Sequence, residues 1–72
     1  MNNLSMLIQS LDSHFKCRLD KKFLKLNQSL YQDVDIEKSI KCVEEYASAS
    51  ACYELVQQIK KQNENNKEKN EN

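Results

Sequence analysis

The stretch IEKSIKCVEEYASASACYELVQQIKK, residues 36–61, decides the fold of this chain of 72 residues. It contains neither glycine nor proline, and most of its residues favour a helix. Its first apolar residues recur three or four apart and share one helical face: Ile36, Ile40, Val43 and Ala47. A second apolar set lies on a face rotated by well over a quarter turn: Cys52, Leu55, Val56 and Ile59. A helix whose apolar face changes along its length is typical of one that meets two neighbours in succession.

The small residues ASASA at 47–51 leave two interpretations open. Ser48 or Ser50 can cap a new helix, which would explain why the apolar face rotates at this point. Alanine, however, is the best helix former, and it favours one continuous helix through the segment. In a continuous helix these small side chains would let another helix approach closely.

The preceding stretch, residues 3–31, predicts one amphipathic helix. Its apolar residues step by threes and fours without a break: Leu4, Ile8, Leu11, Phe15, Leu19, Phe23, Leu26 and Leu30. A sparser apolar lane runs along the opposite side: Met6, Cys17, Leu24 and Tyr31. Because one partner helix covers only one stripe, the two lanes indicate that this helix is covered from two sides.

Residues 32–35 form a short connector, in which Asp33 or Asp35 suits the N-cap of the second helix. A connector this short makes the two helices antiparallel neighbours. The sequence therefore predicts an all-α, antiparallel two-helix hairpin within 1–61, with helices at about 3–31 and 36–61. A core this small is marginal, so we expect self-association or a partner to complete it. Residues 62–72 contain no apolar side chain and predict a disordered polar tail.

Composition excludes several classes of protein. The 11 basic and 11 acidic residues balance, so net charge gives no reason to expect nucleic acid or a membrane as partner. The absence of glycine excludes phosphate-cradling loops, which need close backbone approach. No window approaches the roughly 18 apolar residues of a membrane span, and no secretory signal opens the chain. We therefore expect a cytoplasmic protein without membrane insertion.

One basic row lies beside the apolar stripe of the first helix: His14, Arg18, Lys21 and Lys25. In one interpretation the row binds a partner, either the phosphates of a nucleic acid or the surface of a larger protein. In the other it faces the acidic side of the second helix, with Lys21 level with Glu44, and fixes the register of the hairpin. The second interpretation is favoured, because the row has neither an aromatic stacking platform nor clustered arginines.

Cys42 and Cys52 have nine residues between them on the second helix. This spacing resembles the coiled-coil-helix-coiled-coil-helix family of the mitochondrial intermembrane space, over about eleven residues of the chain. The resemblance implies paired disulfides across antiparallel helices and the intermembrane space as an alternative location. The first helix departs from the pattern, since it offers Cys17 alone, so at most one crosslink would form. Without a signal peptide, free thiols in a reducing compartment remain the default.

The sequence predicts a non-enzymatic interaction module without catalytic residues, metal, cofactor or small-molecule substrate. We expect His14 and Cys17 to lie on the surface of a helix, where the sequence predicts no pocket and no oxyanion donors, and this gives catalysis little basis. The partner is expected to be another protein or a second copy, and the alternative is a regulator that uses the basic row. The residues expected to bind the partner are Met6, Cys17, Leu24, Cys52, Leu55, Val56 and Ile59. Val43 is expected to face the first helix instead.

Overall fold

The computed structural model describes the backbone of residues 3–71 and the side chains of residues 3–65. Helix α1 spans Asn3–Gln28 and continues into a π-helical turn, Ser29–Asp33. Helix α2 spans Ile36–Glu71. The helices pack against each other in opposite directions, so the predicted all-α hairpin is confirmed.

The turn between the helices depends on two residues. Val34 has φ 49° and ψ 50°, the left-handed region in which a side chain with a Cβ crowds its own carbonyl. Asp35 then caps α2, because its Oδ1 accepts hydrogen bonds from the backbone N–H groups of Glu37 at 3.0 Å and Lys38 at 3.2 Å. Of the two predicted caps, Asp35 has this role, while Asp33 forms an ion pair with Lys38 at 3.8 Å.

The helices meet along a seam that occupies one stripe on each of them. Its positions are buried or half-buried and alternate in steps of three and four, the spacing of a coiled coil. On α1 the seam consists of Ser5, Ile8, Asp12, Phe15, Leu19, Lys22, Leu26 and Ser29. On α2 it consists of Ser39, Cys42, Tyr46, Ala49, Tyr53, Val56 and Lys60.

The small residues at 47–51 do not interrupt α2, which is continuous through them. Ala49 lies on the seam and is 0% exposed. A methyl group at that position lets the backbone of α1 approach more closely than a larger side chain would permit. The continuous-helix interpretation of this segment is therefore confirmed.

The apolar residues at the start of α2 do not face α1, contrary to the prediction. Val43 is 51% exposed, and Ile36 and Ile40 are exposed as well. Val56, expected to face a partner, is instead buried at 5% exposure. The physical reason is that the seam of α2 consists largely of small, polar and tyrosine side chains, which a search for aliphatic spacing passes over.

The predicted stripe of α1 is correct in part. Ile8 is buried, and Leu11, Phe15, Leu19 and Leu26 are half-buried. The remaining members of the stripe, Leu4, Phe23 and Leu30, are exposed. Lys22 and Ser29 lie where the seam continues, because they occur at the repeating steps of three and four.

The end of α2 extends beyond the predicted boundary near residue 61. The helical backbone continues to Glu71, across most of the segment that the sequence predicts to be disordered. Glutamine, glutamate and lysine are good helix formers, which favours helical backbone even where no apolar side chain is present. Beyond residue 65 the side chains lie outside the described residues.

Candidate interaction surfaces

The hairpin has two flanks, one on each side of the seam. At about 100° per residue, a position directly after a seam residue lies on one flank, and a position directly before one lies on the other. The same side of both helices forms one flank, because positions before the seam of α1 and α2 line one groove: Lys25, Gln28, Lys38, Lys41 and Glu45. Every exposed side chain near the seam can thus be assigned to a flank.

The flank that follows the seam carries an apolar patch at the turn end of the hairpin. Six large side chains, each between 42% and 77% exposed, form this turn-end patch: Phe23, Leu30, Val34, Ile36, Ile40 and Val43. Leu30, Val34 and Ile36 line one depression beside the turn. The ring of Phe23 lies 5.9 Å from that of Tyr46, which places it over the edge of the seam. The patch is therefore continuous from the turn to the level of Phe23.

The flank that precedes the seam carries a smaller apolar patch at the open end of the hairpin. Leu55 and Ile59 come directly before the seam residues Val56 and Lys60 and are exposed. Leu7, also exposed, and Leu11, half-buried, occupy the matching positions on α1. Apart from Val56, which lies in the seam, the two apolar sets seen in the sequence of α2 thus lie on opposite flanks.

The basic row lies on this same flank, since His14, Arg18, Lys21 and Lys25 each come directly before a seam residue. Among the described residues, no carboxylate lies within 4.0 Å of Arg18, Lys21 or Lys25. The expected pairing of Lys21 with Glu44 is therefore wrong, because Glu44 lies on the outer surface, two positions before the seam. The side chain that does reach across is Lys22, whose Nζ lies 3.5 Å from Glu45 Oε2.

The seam holds two polar clusters that sequence reasoning missed. Gln57 donates a hydrogen bond of 2.7 Å to Asp12 Oδ1, and Lys60 lies 3.3 Å from Asp12 Oδ2. The hydrogen bond from Gln57, followed by that from Lys60, holds the pKa of the Asp12 carboxyl below its ordinary value of 3.8. The signal in the sequence was the alternation of threes and fours, which continues through these polar residues.

The second polar cluster closes the seam at the turn. The Ser29 hydroxyl donates to the Leu26 carbonyl at 3.1 Å, so the Ser39 hydroxyl, 3.2 Å away, donates to Ser29. Ser29 is 3% exposed and fully satisfied by these two bonds. The cluster fixes the register of the two helices at the end where they join.

The three cysteines are free thiols. Cys17 is exposed on the outer side of α1, whereas Cys42 lies in the seam. Cys52 lies at the edge of the seam, where its Sγ is 4.0 Å from Arg18 Nη1. Cys17 therefore does not share the seam with the cysteines of α2, as the crosslink implied by the family resemblance would require.

The remaining residues predicted to bind a partner are distributed over the surface. Met6, Cys17 and Leu24 are exposed on parts of α1 that α2 does not cover. Leu55 and Ile59 belong to the open-end patch, and Val56 lies in the seam. The turn-end patch is not among the predicted partner-binding residues, because the sequence pattern predicts that Ile40 and Val43 face α1.

Comparison with known proteins gives no relative. No protein-family model, no curated protein and no solved structure matches this chain. Within the part of the chain that the structure describes, no helix is long and apolar enough to span a membrane. The described residues also contain no group of three or more His, Cys, Asp and Glu side chains arranged to hold a metal ion.

Proposed function

We propose that this chain is a non-enzymatic interaction module that binds a partner protein through its exposed apolar flanks, as part of a helix-bundle or coiled-coil assembly. The observation that carries the proposal is the turn-end patch. Soluble monomers rarely expose a contiguous apolar surface of this kind without using it to bind. The described part of the chain, by contrast, buries only three apolar residues: Ile8, Ala49 and Val56.

Proximity labelling in the cells of origin tests this proposal. Ile40→Asp places a charge in the turn-end patch, and Leu24→Asp makes the same chemical change at an exposed position on the outer surface of α1. We expect proteins labelled by the wild type and by Leu24→Asp to be lost with Ile40→Asp. Identical labelling by all three forms would contradict the proposal.

The second candidate is a regulator that binds an acidic protein surface or a nucleic acid through the basic flank. It is supported by the row of His14, Arg18, Lys21 and Lys25, whose arginine and lysines have no carboxylate within 4.0 Å among the described side chains. Lys41 continues the positive charge along α2 on the same flank, where Lys38 is paired with Asp33 and Glu45 with Lys22. Unpaired cations on one face attract anionic partners and make the binding dependent on salt.

A charge-reversal pair tests this candidate. Lys25→Glu reverses one charge on the basic flank, and Lys61→Glu makes the same change on the opposite flank, away from the turn-end patch. Binding of a labelled single-stranded oligonucleotide should weaken only with Lys25→Glu and should decline with added salt. Equal binding by both variants would rule out a role for the basic flank.

A further inference from the structure

We propose that the occupant of the turn-end patch is a second copy of this chain, and that the two hairpins form a parallel, two-fold symmetric four-helix bundle. This inference rests on the proposed function, because it names the partner of the same surface. It is carried by the size of the patch, its lack of charge, and the residues that lie beside it.

The turn-end patch has the area of a small dimer interface. An aromatic side chain presents about 150–250 Å² when fully exposed and a large aliphatic one somewhat less, so six of them at 42–77% exposure present roughly 600 Å². A standard interface takes about 800 Å² from each partner, and the lower limit is about 500–600 Å². The patch thus meets the lower limit for a specific dimer.

Along the two helices no charged residue interrupts the patch, and at the turn Asp35 lines the depression but is engaged in capping α2. Between Phe23 and Leu30 on this flank the position directly after the seam is Asn27, and between Ile36 and Val43 it is Ile40. Such a surface suits a partner whose facing surface is equally uncharged, and a second copy supplies one by symmetry. The basic flank offers no such uncharged surface, because it carries Arg18, Lys21, Lys25, Lys38 and Lys41.

The register of the hairpin determines which residues would meet. Asp12 is level with Gln57, and Phe23 with Tyr46. Each step forward on α1 therefore corresponds to one step back on α2, and Lys16 is level with residue 53. When two hairpins face each other about an axis parallel to the helices, α1 of one lies against α2 of the other, at the same level. Phe23 then meets the small Ala47 of the second copy, and Leu30 meets Ile40. Neighbouring helices are antiparallel throughout, as in a four-helix bundle.

Charge complementarity continues this arrangement beyond the patch. Lys16 and Glu54 both come directly after a seam residue, so they lie on the same flank as the patch. Their levels along the hairpin differ by about one residue, so each Lys16 faces Glu54 of the other copy. The two-fold axis produces this pair twice. In an antiparallel dimer of the same patches, Lys16 and Glu54 would lie beyond the contact.

Sedimentation equilibrium of the purified full chain tests the dimer. We expect a concentration-dependent dimer for the wild type and for the control Leu24→Asp. Ile40→Asp should raise the dissociation constant by more than about 100-fold, because a buried charge at the centre of an interface has no partner. Circular dichroism shows whether the variant stays helical, and Val43→Lys provides a second disruption if it does not. A wild type that is monomeric near 1 mM, or a dimer unaffected by both substitutions, would overturn the proposal.

Mixing two single variants tests the parallel arrangement. Lys16→Glu gives a homodimer with two acidic pairs and Glu54→Lys one with two basic pairs, so each should dissociate about tenfold more readily than the wild type. A mixture of the two should form a heterodimer in which both pairs are complementary again. Because the rescue occurs between chains, no contact within one hairpin can produce it. A mixture that dimerises no better than its components overturns the parallel bundle.

These outcomes separate the second copy from the proposed function. A purified chain that stays monomeric, combined with labelling in cells that still depends on Ile40, excludes the second copy and leaves the patch to a different protein. Labelling that is independent of Ile40 contradicts the proposed function itself.

Discussion

Asp12 links the two helices at the residue scale, since it accepts hydrogen bonds from two side chains of α2, Gln57 and Lys60. A carboxyl whose pKa is lowered on folding stabilises the hairpin at pH values above its unfolded pKa near 3.8. That contribution is lost as the pH falls through the lower pKa of the folded state. Asp12 is therefore a source of acid sensitivity in the seam.

We expect the melting temperature of the wild type to fall when the pH is lowered from 7 to 3, and to fall by less in Asp12→Asn. Asparagine cannot gain a proton in this range, so the pH-dependent part of the interaction is absent from that variant. Thermal unfolding followed by circular dichroism measures both temperatures. Asp20→Asn is the matched control, because Asp20 is exposed and should leave the dependence unchanged. Equal slopes for Asp12→Asn and the wild type would refute this role.

The two valines of α2 exchange the roles that the sequence suggested. Val56→Asp should abolish most of the helical signal, because it places an unpaired charge in the seam at a cost of at least about 3 kcal/mol. Val43→Asp should change the free energy of unfolding of a single hairpin by no more than about 1 kcal/mol, since Val43 is half-exposed. Urea unfolding followed by circular dichroism compares them at low protein concentration. Equal loss of helicity in the two variants would contradict the placement of Val43 outside the seam.

At the scale of the elements, the turn is the least favourable part of the hairpin. A β-branched residue in the left-handed region costs roughly 1–2 kcal/mol, and Val34 is held there by the helices on either side. Val34→Gly removes this strain but makes the unfolded chain more flexible, so the expected net gain in stability is about 0.5–1 kcal/mol. Chemical denaturation at low protein concentration, where single hairpins are compared, measures this gain. Val34→Ala, which retains a Cβ, should give little of this gain, and a destabilised glycine variant would show that the turn is not strained.

The number of helices, their antiparallel order and the Asp35 cap all followed from patterns in the sequence. Which side of α2 packs against α1 did not follow from the sequence, because most of its large aliphatic residues lie beside the seam. Ser39, Cys42 and Tyr46 continue the steps of three and four, but such side chains indicate a buried position less clearly than isoleucine does. For the same reason the sequence does not predict the turn-end patch, since its pattern places Ile40 and Val43 in the core.

At the scale of the whole molecule, the hairpin is long and thin. Its Cα radius of gyration is 16.5 Å, whereas a compact domain of this length would have one of about 11 Å. Its surface of 5920 Å² exceeds the roughly 4,700 Å² expected of a compact monomer with this mass. A single pair of helices leaves two open flanks along its whole length, which is the geometric reason for the exposed apolar patches.

The dimer proposal therefore predicts that stability depends on protein concentration. A dimer that dissociates on unfolding melts at a higher temperature when it is more concentrated, because mass action favours the assembled state. We expect the melting temperature to rise by several degrees between about 5 and 500 μM chain for the wild type. The same range should leave Ile40→Asp unchanged. A melting temperature independent of concentration in the wild type would contradict self-association.

The left-handed conformation of Val34 has a further consequence, in terms of the genetic code. Every valine codon becomes a glycine codon by one change at its second base, so a single point mutation removes the backbone strain at Val34. Asparagine, the other residue that tolerates this conformation well, requires two changes or more. A library made by error-prone copying and screened for resistance to heat should therefore recover Val34→Gly early and Val34→Asn rarely. At the turn, therefore, a single base change is enough to reach a more stable hairpin.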